Sequence, residues 1–318
     1  MQRVKAYDTV GDMIRLLLDT DIGTDVDDCL ALALILTSSE FRLEGVTCVY
    51  GDVLLRSRMV RKLLNLRGSI STPVFAGADQ PILGLQPVYW EGHEGVGLLD
   101  INDQTLVPEP EHAVDYLVRT VMNNPGQIHL AAIGPLTNIA LALKREPHLA
   151  HALAGLTIMG GACRGYDSLH IAYVEHNIRC DPEAAHIVFS SGAPISLVPL
   201  DVTLQTRIRS ADVERIRGVG APFHTAVADQ VALYPPFRAR GFTYLHDPLA
   251  VATILAPDLV TWRTLHVDVE MSGRLTAGMT LMREPSDAVP ANARVALQVD
   301  ATRFEEWFLS RVAAMDQA

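Results

Sequence analysis

Residues 14–28 read Ile14-Arg-Leu-Leu-Leu-Asp-Thr-Asp-Ile-Gly-Thr-Asp-Val-Asp-Asp28. The apolar run Ile14–Leu18 predicts a short buried strand, and Cys29–Leu36, after the acids, predicts a helix. Five carboxylates therefore share one strand-to-helix turn, where like charges repel. Helix capping by Asp27 and Asp28 explains one or two of these acids but not all five. Because a hard cation relieves such repulsion and Ca²⁺ takes about six to eight oxygen ligands, the turn predicts a metal-centred active site.

Beyond this turn, strand-like and helix-like segments alternate along the chain. The alternation predicts an α/β fold: an open, mostly parallel sheet with helices on both faces. The predicted strands lie at 43–50, 73–76, 128–133, 156–159 and 195–199, with added strands between 264 and 299, and the predicted helices lie at 54–66, 113–122, 136–143, after Asp181 and at 302–313. Ligands bind beyond the carboxyl ends of parallel strands. One crevice is therefore expected to gather Asp19–Asp28, Asp52, Ile133-Gly134 and Gly160-Gly161.

Three stretches interrupt this alternation: 77–110, 160–180 and 233–246. They are rich in glycine, proline, histidine or aromatic residues, and long loops in a compact domain are usually functional or disordered. No shift in composition marks a domain boundary. The chain is therefore predicted to form a single domain over residues 1–318.

Composition excludes several classes of partner. The 318-residue chain has 26 basic and 37 acidic side chains, for a formal charge of −11. Nucleic acids and anionic membranes bind basic surfaces, so neither is an expected partner. No apolar stretch reaches the roughly eighteen residues of a membrane span. The four cysteines are widely spaced without a C-x-x-C pair, which argues against zinc or disulfide frameworks and predicts a reducing, cytoplasmic setting.

Three further motifs carry polar side chains. In Tyr244-Leu-His-Asp-Pro248, Asp247 is by itself as well explained as a helix cap before proline, and His246 as a core histidine. In Val174-Glu-His-Asn-Ile178, an extended backbone would direct Glu175 and Asn177 to one side, where they could hold polyol hydroxyls or simply face solvent. The glycine-rich segment 90–97, with Trp90 and His93, suits a mobile lid and an ordinary exposed loop equally well.

Taken together, these motifs resemble the inosine–uridine-type nucleoside hydrolases over essentially the full length of the chain. The resemblance rests on the acidic turn, Ile133-Gly-Pro-Leu-Thr-Asn-Ile-Ala140, Met159-Gly-Gly161, Glu175-x-Asn177 with Asp181-Pro-Glu-Ala-Ala185, His246-Asp247-Pro248 and Gly273-Arg-Leu-Thr-Ala-Gly-Met279. It implies a Rossmann-like nucleoside hydrolase fold. It also implies calcium-dependent hydrolysis of the N-glycosidic bond of ribonucleosides, with a role in nucleoside salvage and a homodimeric or homotetrameric assembly.

The resemblance also implies roles for individual residues. For the metal, Asp21 would bind Ca²⁺ and accept a proton from water, Asp28 would chelate it with both oxygens, and Asp247 and the backbone carbonyl of Ile133 would complete the protein ligands. For the substrate, the ribose hydroxyls would contact Asp27, Glu175, Asn177 and Asp247, with Asp52 adding charge near the sugar. His246 and Tyr234 would flank the nucleobase, with His246 as the acid that protonates it.

Some positions depart from the family pattern. The acidic turn carries two extra residues before Asp27, which leaves the role of Asp25 open. Asp52 stands where many members have Asn, and His176 replaces a frequent aromatic residue. The family's Asn after Gly-Gly has no clear counterpart among residues 162–169. Base preference stays open, since Trp90 suits stacking on a purine and His246 suits a broad or pyrimidine range.

Two other functions compete with this interpretation. A haloacid-dehalogenase-like, Mg²⁺-dependent phosphatase also carries Asp-x-Asp after its first strand, but Gly23 stands where Thr or Val is expected. A non-catalytic calcium- or ribose-binding protein is the second alternative. An EF-hand register starting at Asp19 fails, because its twelfth position is Leu30 rather than Glu.

Overall fold

The computed structural model describes residues 13–85, 87–163 and 171–314. Within them, nine strands form one sheet in the order β10-β9-β11-β6-β5-β4-β1-β2-β3. These strands are β1 (Ile14–Thr20), β2 (Phe41–Cys48), β3 (Val74–Ala76), β4 (Ile128–Ala132), β5 (Gly155–Met159), β6 (Ile195–Val198), β9 (Val260–Val269), β10 (Thr280–Arg283) and β11 (Ala293–Val299), while β7 (Arg207–Arg209) and β8 (Phe242–Tyr244) form a separate antiparallel pair.

The sheet is parallel from β3 to β11, and β9 and β10 are added antiparallel at one edge. This confirms the predicted mostly parallel α/β sheet with added C-terminal strands. The run β3-β2-β1-β4-β5-β6 reverses its direction of growth between β1 and β4. A crevice opens at such a switch point, beyond the carboxyl ends of the two strands. The acidic turn follows β1 at this point, and Ile133 follows β4.

Helices cover both faces of the sheet. They are α1 (Asp27–Thr37), α2 (Val53–Arg67), α3 (Ala113–Met122), α4 (Thr137–Arg145), α5 (Leu149–Ala152), α6 (His176–Cys180), α7 (Pro182–Phe189), α8 (Leu200–Thr203), α9 (Ser210–Arg217), α10 (Pro222–Leu233), α11 (Pro235–Arg240), α12 (His246–Leu255) and α13 (Ala301–Val312). Along β1, Leu16 and Leu18 pack into one core cluster and Leu17 into the other. Side chains alternate between the faces of a strand, so a strand buried on both faces is apolar throughout. Among the described residues, no helix combines the length and the apolar character needed to cross a bilayer.

Two predictions about local structure are wrong. The stretch 233–246 is not a loop, because α11 and β8 occupy most of it. The segment around Glu175 and Asn177 is not extended; it begins α6, and the Glu175 carboxylate accepts hydrogen bonds from the backbone N–H groups of Asn177 and Ile178. A carboxylate that binds free N–H groups at a helix start stabilises the helix there. Residues 164–170, which include most of the expected position of the family's loop Asn, lie outside the described residues.

Candidate metal-centred active site

The acidic turn is almost completely shielded from solvent. Asp21, Asp27 and Asp28 are 4%, 3% and 3% exposed, although they belong to a turn and the first residues of α1. The turn runs directly from a strand buried on both faces into a helix whose first nine residues are all buried, so the backbone cannot carry these side chains out to solvent. The fold therefore keeps several carboxylates together in a poorly hydrated place.

Three carboxylates of this site lie within the reach of a single cation. Asp27, Asp28 and Asp247 each offer one oxygen, and these oxygens lie within 4.8 Å of one another. Burial is the main cause that raises the pKa of all three well above the ordinary range, and repulsion from neighbouring carboxylates, Asp21 among them, raises these pKa values further. Because a bound cation offsets both costs, the geometry and the electrostatics of this group fit a metal site.

Helix α12 brings the distant part of the site into place. Asp247 is buried in its first turn, and its backbone N–H donates to Asp27 Oδ2 at 3.2 Å. His246 precedes it, and its Nδ1 is hydrogen-bonded to Thr203 Oγ1 at 2.7 Å, which fixes the orientation of the ring. Burial lowers the pKa of His246 to about 4, so the ring is neutral at pH 7. The acid that the resemblance implies at His246 is therefore not an imidazolium at pH 7.

Residues at the start of α6 form the opposite wall. Glu175 and Asn177 are buried, and Glu175 Oε2 also accepts from the backbone N–H of Gly161 at 2.9 Å. Asn177 Nδ2 donates to the carbonyl oxygen of Ile133 at 2.8 Å. Both side chains are thus held by backbone groups at the carboxyl ends of β4 and β5. They contribute to the same cleft as the acidic turn.

The cleft has a volume of about 370 Å³ and is open to solvent on one side. Its lining brings together nearly all the residues singled out from sequence: Asp21, Asp27, Asp28, Ile133, Glu175, Asn177, Tyr234, His246 and Asp247. Asp25 also lines it, and its Oδ2 accepts a hydrogen bond from the Tyr234 hydroxyl at 2.8 Å. Since α10 and α11 meet at Tyr234, this bond ties the acidic turn to that helix pair.

The structure does not place Asp52 among the residues that line the cleft. Asp52 is exposed at the start of α2, and its carboxylate accepts from the backbone N–H of Leu55 at 2.9 Å. A helix cap accounts for this aspartate. His93 and His176 of the sequence motifs behave differently: His176 lines the cleft, whereas His93 lines a smaller neighbouring cavity with Tyr234.

Sequence reasoning did not find the hydrogen bonds that hold the carboxylates of the acidic turn in place. The Thr20 hydroxyl donates to Asp28 Oδ1, and the fully buried Asp19 accepts from Thr47 Oγ1 at 2.5 Å and from Asn138 Nδ2 at 2.8 Å. Burial raises the pKa of Asp19 to about 7. Arg56, which contacts the backbone of the acidic turn, was also missed. Its position on the buried face of a predicted amphipathic helix was the available signal.

Over most of its length, the chain is similar to proteins of one family. The family model described as inosine-uridine preferring nucleoside hydrolase matches residues 16–306. The chain is 36% identical over 314 residues to the pyrimidine-specific ribonucleoside hydrolase RihA of Enterobacter sp. (strain 638), covering 94% of this chain and 97% of that protein. It is 31% identical to uridine nucleosidase 1 of Arabidopsis thaliana, covering 86% of this chain and 83% of that protein.

A solved structure has the same fold. The purine-preferring ribonucleoside hydrolase from Gardnerella vaginalis superposes with a TM-score of 0.83 at 32% identity, covering 94% of this chain and 98% of that one. The family match, the sequence relatives and this structure together confirm the resemblance drawn from the motifs. The chain belongs to the inosine–uridine preferring nucleoside hydrolases, a family of metal-dependent enzymes, and it is an N-glycosyl hydrolase that acts on nucleosides.

Proposed function

We propose that this protein hydrolyses ribonucleosides to ribose and a free nucleobase in a calcium-dependent reaction. Family membership supports the reaction. The buried group of Asp27, Asp28 and Asp247 is the observation that carries the metal dependence.

The available donors suit calcium because they are all oxygens. Asp28, Asp247, Asp21 and the carbonyl oxygen of Ile133 would hold the ion, and all four residues line the cleft. Carboxylate and carbonyl oxygens are the ligands that Ca²⁺ prefers in proteins. Asp27 lies close enough to share this role, in addition to the ribose contact predicted from sequence. When bound, the ion supplies positive charge that orients a water molecule and makes it more acidic.

Asp21 is the proposed general base. It lines the cleft, is nearly buried, and follows β1 at the switch point of the sheet. A carboxylate in this position can accept the proton of an attacking water molecule, a role that contributes about 10²- to 10⁴-fold in rate. The backbone carbonyl of Asp21 accepts a hydrogen bond from Arg56, which restrains the backbone of this residue.

The remaining carboxylates and Asn177 would hold the sugar. Cleavage of a ribosyl C–N bond builds positive charge on the ring, as in other glycoside cleavages. Asp27, Asp247 and Glu175 place negative charge around the cleft, which stabilises that developing charge. Hydroxyl contacts to these residues and to Asn177 would position the ribose and strengthen in the transition state. Although Glu175 already accepts three backbone hydrogen bonds, its two oxygens offer about four acceptor sites.

The leaving base would lie against His246 and Tyr234. Both line the cleft, and their partners Thr203 and Asp25 fix their orientations. His246 remains the proposed donor to the leaving base, acting as a neutral imidazole N–H. The relatives include proteins named for pyrimidine and for purine preference, so the choice of base in this chain is a matter for assay.

The test combines metal content with base release. Protein stripped with a chelator should release no base from uridine, cytidine, inosine, adenosine or guanosine, and Ca²⁺ should restore release from at least one of them. Asp21→Ala should lower kcat by about 10²- to 10⁴-fold. Asp258→Asn, an exposed aspartate near the C-terminal helix, serves as the matched control and should keep kcat within about twofold.

Other outcomes separate the competing functions. Base release that survives complete removal of metal would contradict calcium dependence. Calcium binding without any base release would favour a binding protein, and turnover of p-nitrophenyl phosphate with Mg²⁺ would favour a phosphatase. We also propose a cytoplasmic location, supported by four cysteines that are all free in the structure. The homodimeric or homotetrameric assembly and the single-domain organisation of residues 1–318 stay predictions.

A further inference from the structure

One buried arginine contacts the backbone of the acidic turn but does not line the cleft. Arg56, on the first turn of α2, is 0% exposed. Arginine is rarely buried to this extent unless its charge and its donors are matched by partners. The partners of this side chain therefore indicate what it does.

The guanidinium binds two consecutive carbonyls of the acidic turn. Its Nη1 donates to the carbonyl oxygens of Asp21 and Ile22, the second at 2.8 Å, and its Nη2 donates to Thr24 Oγ1 at 2.8 Å. The part of the turn between the end of β1 and Asp25 is thus bound by one side chain. A turn held by its carbonyls cannot rotate its peptide groups without breaking these bonds, so the directions of its side chains are held too.

The same side chain reaches the next strand-to-helix turn. Arg56 Nε donates to the carbonyl oxygen of Tyr50 at 2.6 Å. Tyr50 has a φ of 66°, a left-handed conformation that a non-glycine residue keeps only when its surroundings require it. The bond from Arg56 and the 2.7 Å bond from the Tyr50 N–H to the carbonyl of Ala78 hold Tyr50 in this conformation. Two loops at the carboxyl edge of the sheet are therefore locked to one another.

The glycine-rich segment 90–97 also contacts the guanidinium of Arg56. The Trp90 ring lies over Arg56, with 5.1 Å between Cζ and the ring centroid. Its neighbours Tyr89 and Glu91 line the cleft. A side chain at Gly51 would collide with the Trp90 ring, since a Cβ there would lie 2.9 Å from two ring atoms. The glycine-rich segment, predicted as a lid or as an ordinary loop, is thus seated on Arg56.

The charge of Arg56 also acts on the site. It stabilises the ionised form of Asp28 and so opposes the rise in the pKa of that carboxyl. The remaining causes acting on Asp28 are mostly burial and the repulsion of Asp21 and Asp27. The positive charge of Arg56 offsets part of the repulsion among these carboxylates. It therefore lowers the free energy needed to bury them together when no cation is bound.

We propose that Arg56 is a positioning residue: it holds residues 21–24 in the conformation that presents the acids to the metal, and it seats the Trp90 segment over the cleft. The inference rests on the proposed function. Only arginine offers five donors in one rigid plane, and here they reach four acceptors on two loops. Lysine would keep the charge but could not span these acceptors in the same geometry. Residues that orient metal ligands from behind typically change metal affinity by about 10- to 100-fold when altered.

The experiment compares Arg56→Lys and Arg56→Gln with Arg58→Gln, which removes the same charge two residues along α2. Calcium affinity is measured by calorimetry on chelator-stripped protein, and kcat and KM are measured on the best nucleoside. We expect Arg56→Lys to raise the Kd for Ca²⁺ by about tenfold or more and to lower kcat more than it raises KM. Arg58→Gln should stay within about twofold of the original protein in Kd, kcat and KM.

Each outcome is informative. A folded Arg56→Lys protein with unchanged calcium affinity and kcat would overturn the positioning role. If the Arg56 variants do not fold, Thr24→Val removes one acceptor and keeps the arginine, and it should raise the Kd for Ca²⁺ by about threefold or more. An unchanged Kd in that variant overturns the proposal equally. Failure of the unaltered protein to bind Ca²⁺ or release base would instead contradict the proposed function itself.

Discussion

The side-chain amide of Asn177 donates a hydrogen bond to the backbone carbonyl of Ile133, with 2.8 Å between Nδ2 and the oxygen. Asn177 belongs to the first turn of α6, whereas Ile133 directly follows β4. A carbonyl oxygen has two lone pairs, so this one can bind a cation while it keeps its bond to Asn177. The amide predicted to hold ribose therefore also orients one of the proposed metal ligands.

Replacing Asn177 should accordingly affect both metal and substrate. We expect Asn177→Ala to raise the Kd for Ca²⁺ by about tenfold, because the Ile133 carbonyl loses its orienting donor, and to raise KM for the nucleoside. Calorimetry with Ca²⁺ and steady-state kinetics measure the two effects. Asn124→Ala, in the turn between α3 and β4 and not among the residues that line the cleft, is the control. Unchanged calcium affinity in Asn177→Ala would show that the bond to Ile133 plays no part in metal binding.

Asp52 caps α2 in the structure, whereas the resemblance predicts that it lies near the sugar, and a substitution can distinguish these two roles. Asp52→Ala should lower the free energy of unfolding by about 1 kcal/mol through loss of the helix cap, with KM unchanged. Asp52→Ser, which keeps a capping oxygen, should restore most of that stability. Thermal or urea unfolding and a KM determination suffice. A rise in KM in both variants would support the substrate contact predicted from sequence instead.

The parts of the site that could be predicted from the sequence are the residues whose positions depend only on one strand and the turn that follows it. The alternation of apolar runs located β1, β4 and the turns after them, so Asp21, Asp28 and Ile133 were expected at one edge. Contacts between distant segments have no local signature. Arg56 reads as one more cationic residue of α2 until the carbonyls of Asp21 and Ile22 are seen against it.

The errors have a physical cause as well. The extended segment expected at Glu175 failed because that carboxylate binds the backbone N–H groups after it and so starts a helix. The sequence analysis assigned the same side chain to substrate binding. Sequence alone cannot show whether a carboxylate caps a helix, binds a ligand or does both. Asp52 illustrates the opposite case, where a capping position resembled a binding position.

His246 allows a test that depends on the leaving group. Its ring is fixed by Thr203 and is neutral at pH 7, since burial lowers its pKa to about 4. We expect His246→Ala to lower kcat for natural nucleosides by about 10²-fold, because a poor leaving group needs a hydrogen bond from the ring N–H as the C–N bond breaks. A ribosyl substrate with a p-nitrophenol leaving group should lose far less. Equal losses for both substrates would remove His246 from the donor role.

A buried histidine away from the cleft should make the protein sensitive to acid. His129 on β4 lies against Gly155, and its Nε2 is hydrogen-bonded to Thr157 Oγ1 at 2.9 Å. Burial, with a smaller contribution from the charge of Arg294, lowers the pKa of His129 to about 3. Its Nδ1 has no hydrogen-bond partner in the described part of the chain. The folded protein therefore holds this ring in its neutral form far below the ordinary histidine pKa.

The sign of the effect follows from which state binds the proton. As pH falls below about 6.5 the unfolded chain protonates His129 while the folded protein does not, so unfolding becomes more favourable by up to about 1.4 kcal/mol per pH unit until about pH 3. His129→Gln removes this titration and can keep a bond to Thr157. Urea unfolding between pH 7.5 and pH 5 should show a shallower loss of stability in His129→Gln than in the original protein. The exposed His148→Gln should leave the slope unchanged, and equal slopes in all three proteins would mean that His129 titrates normally in the folded state.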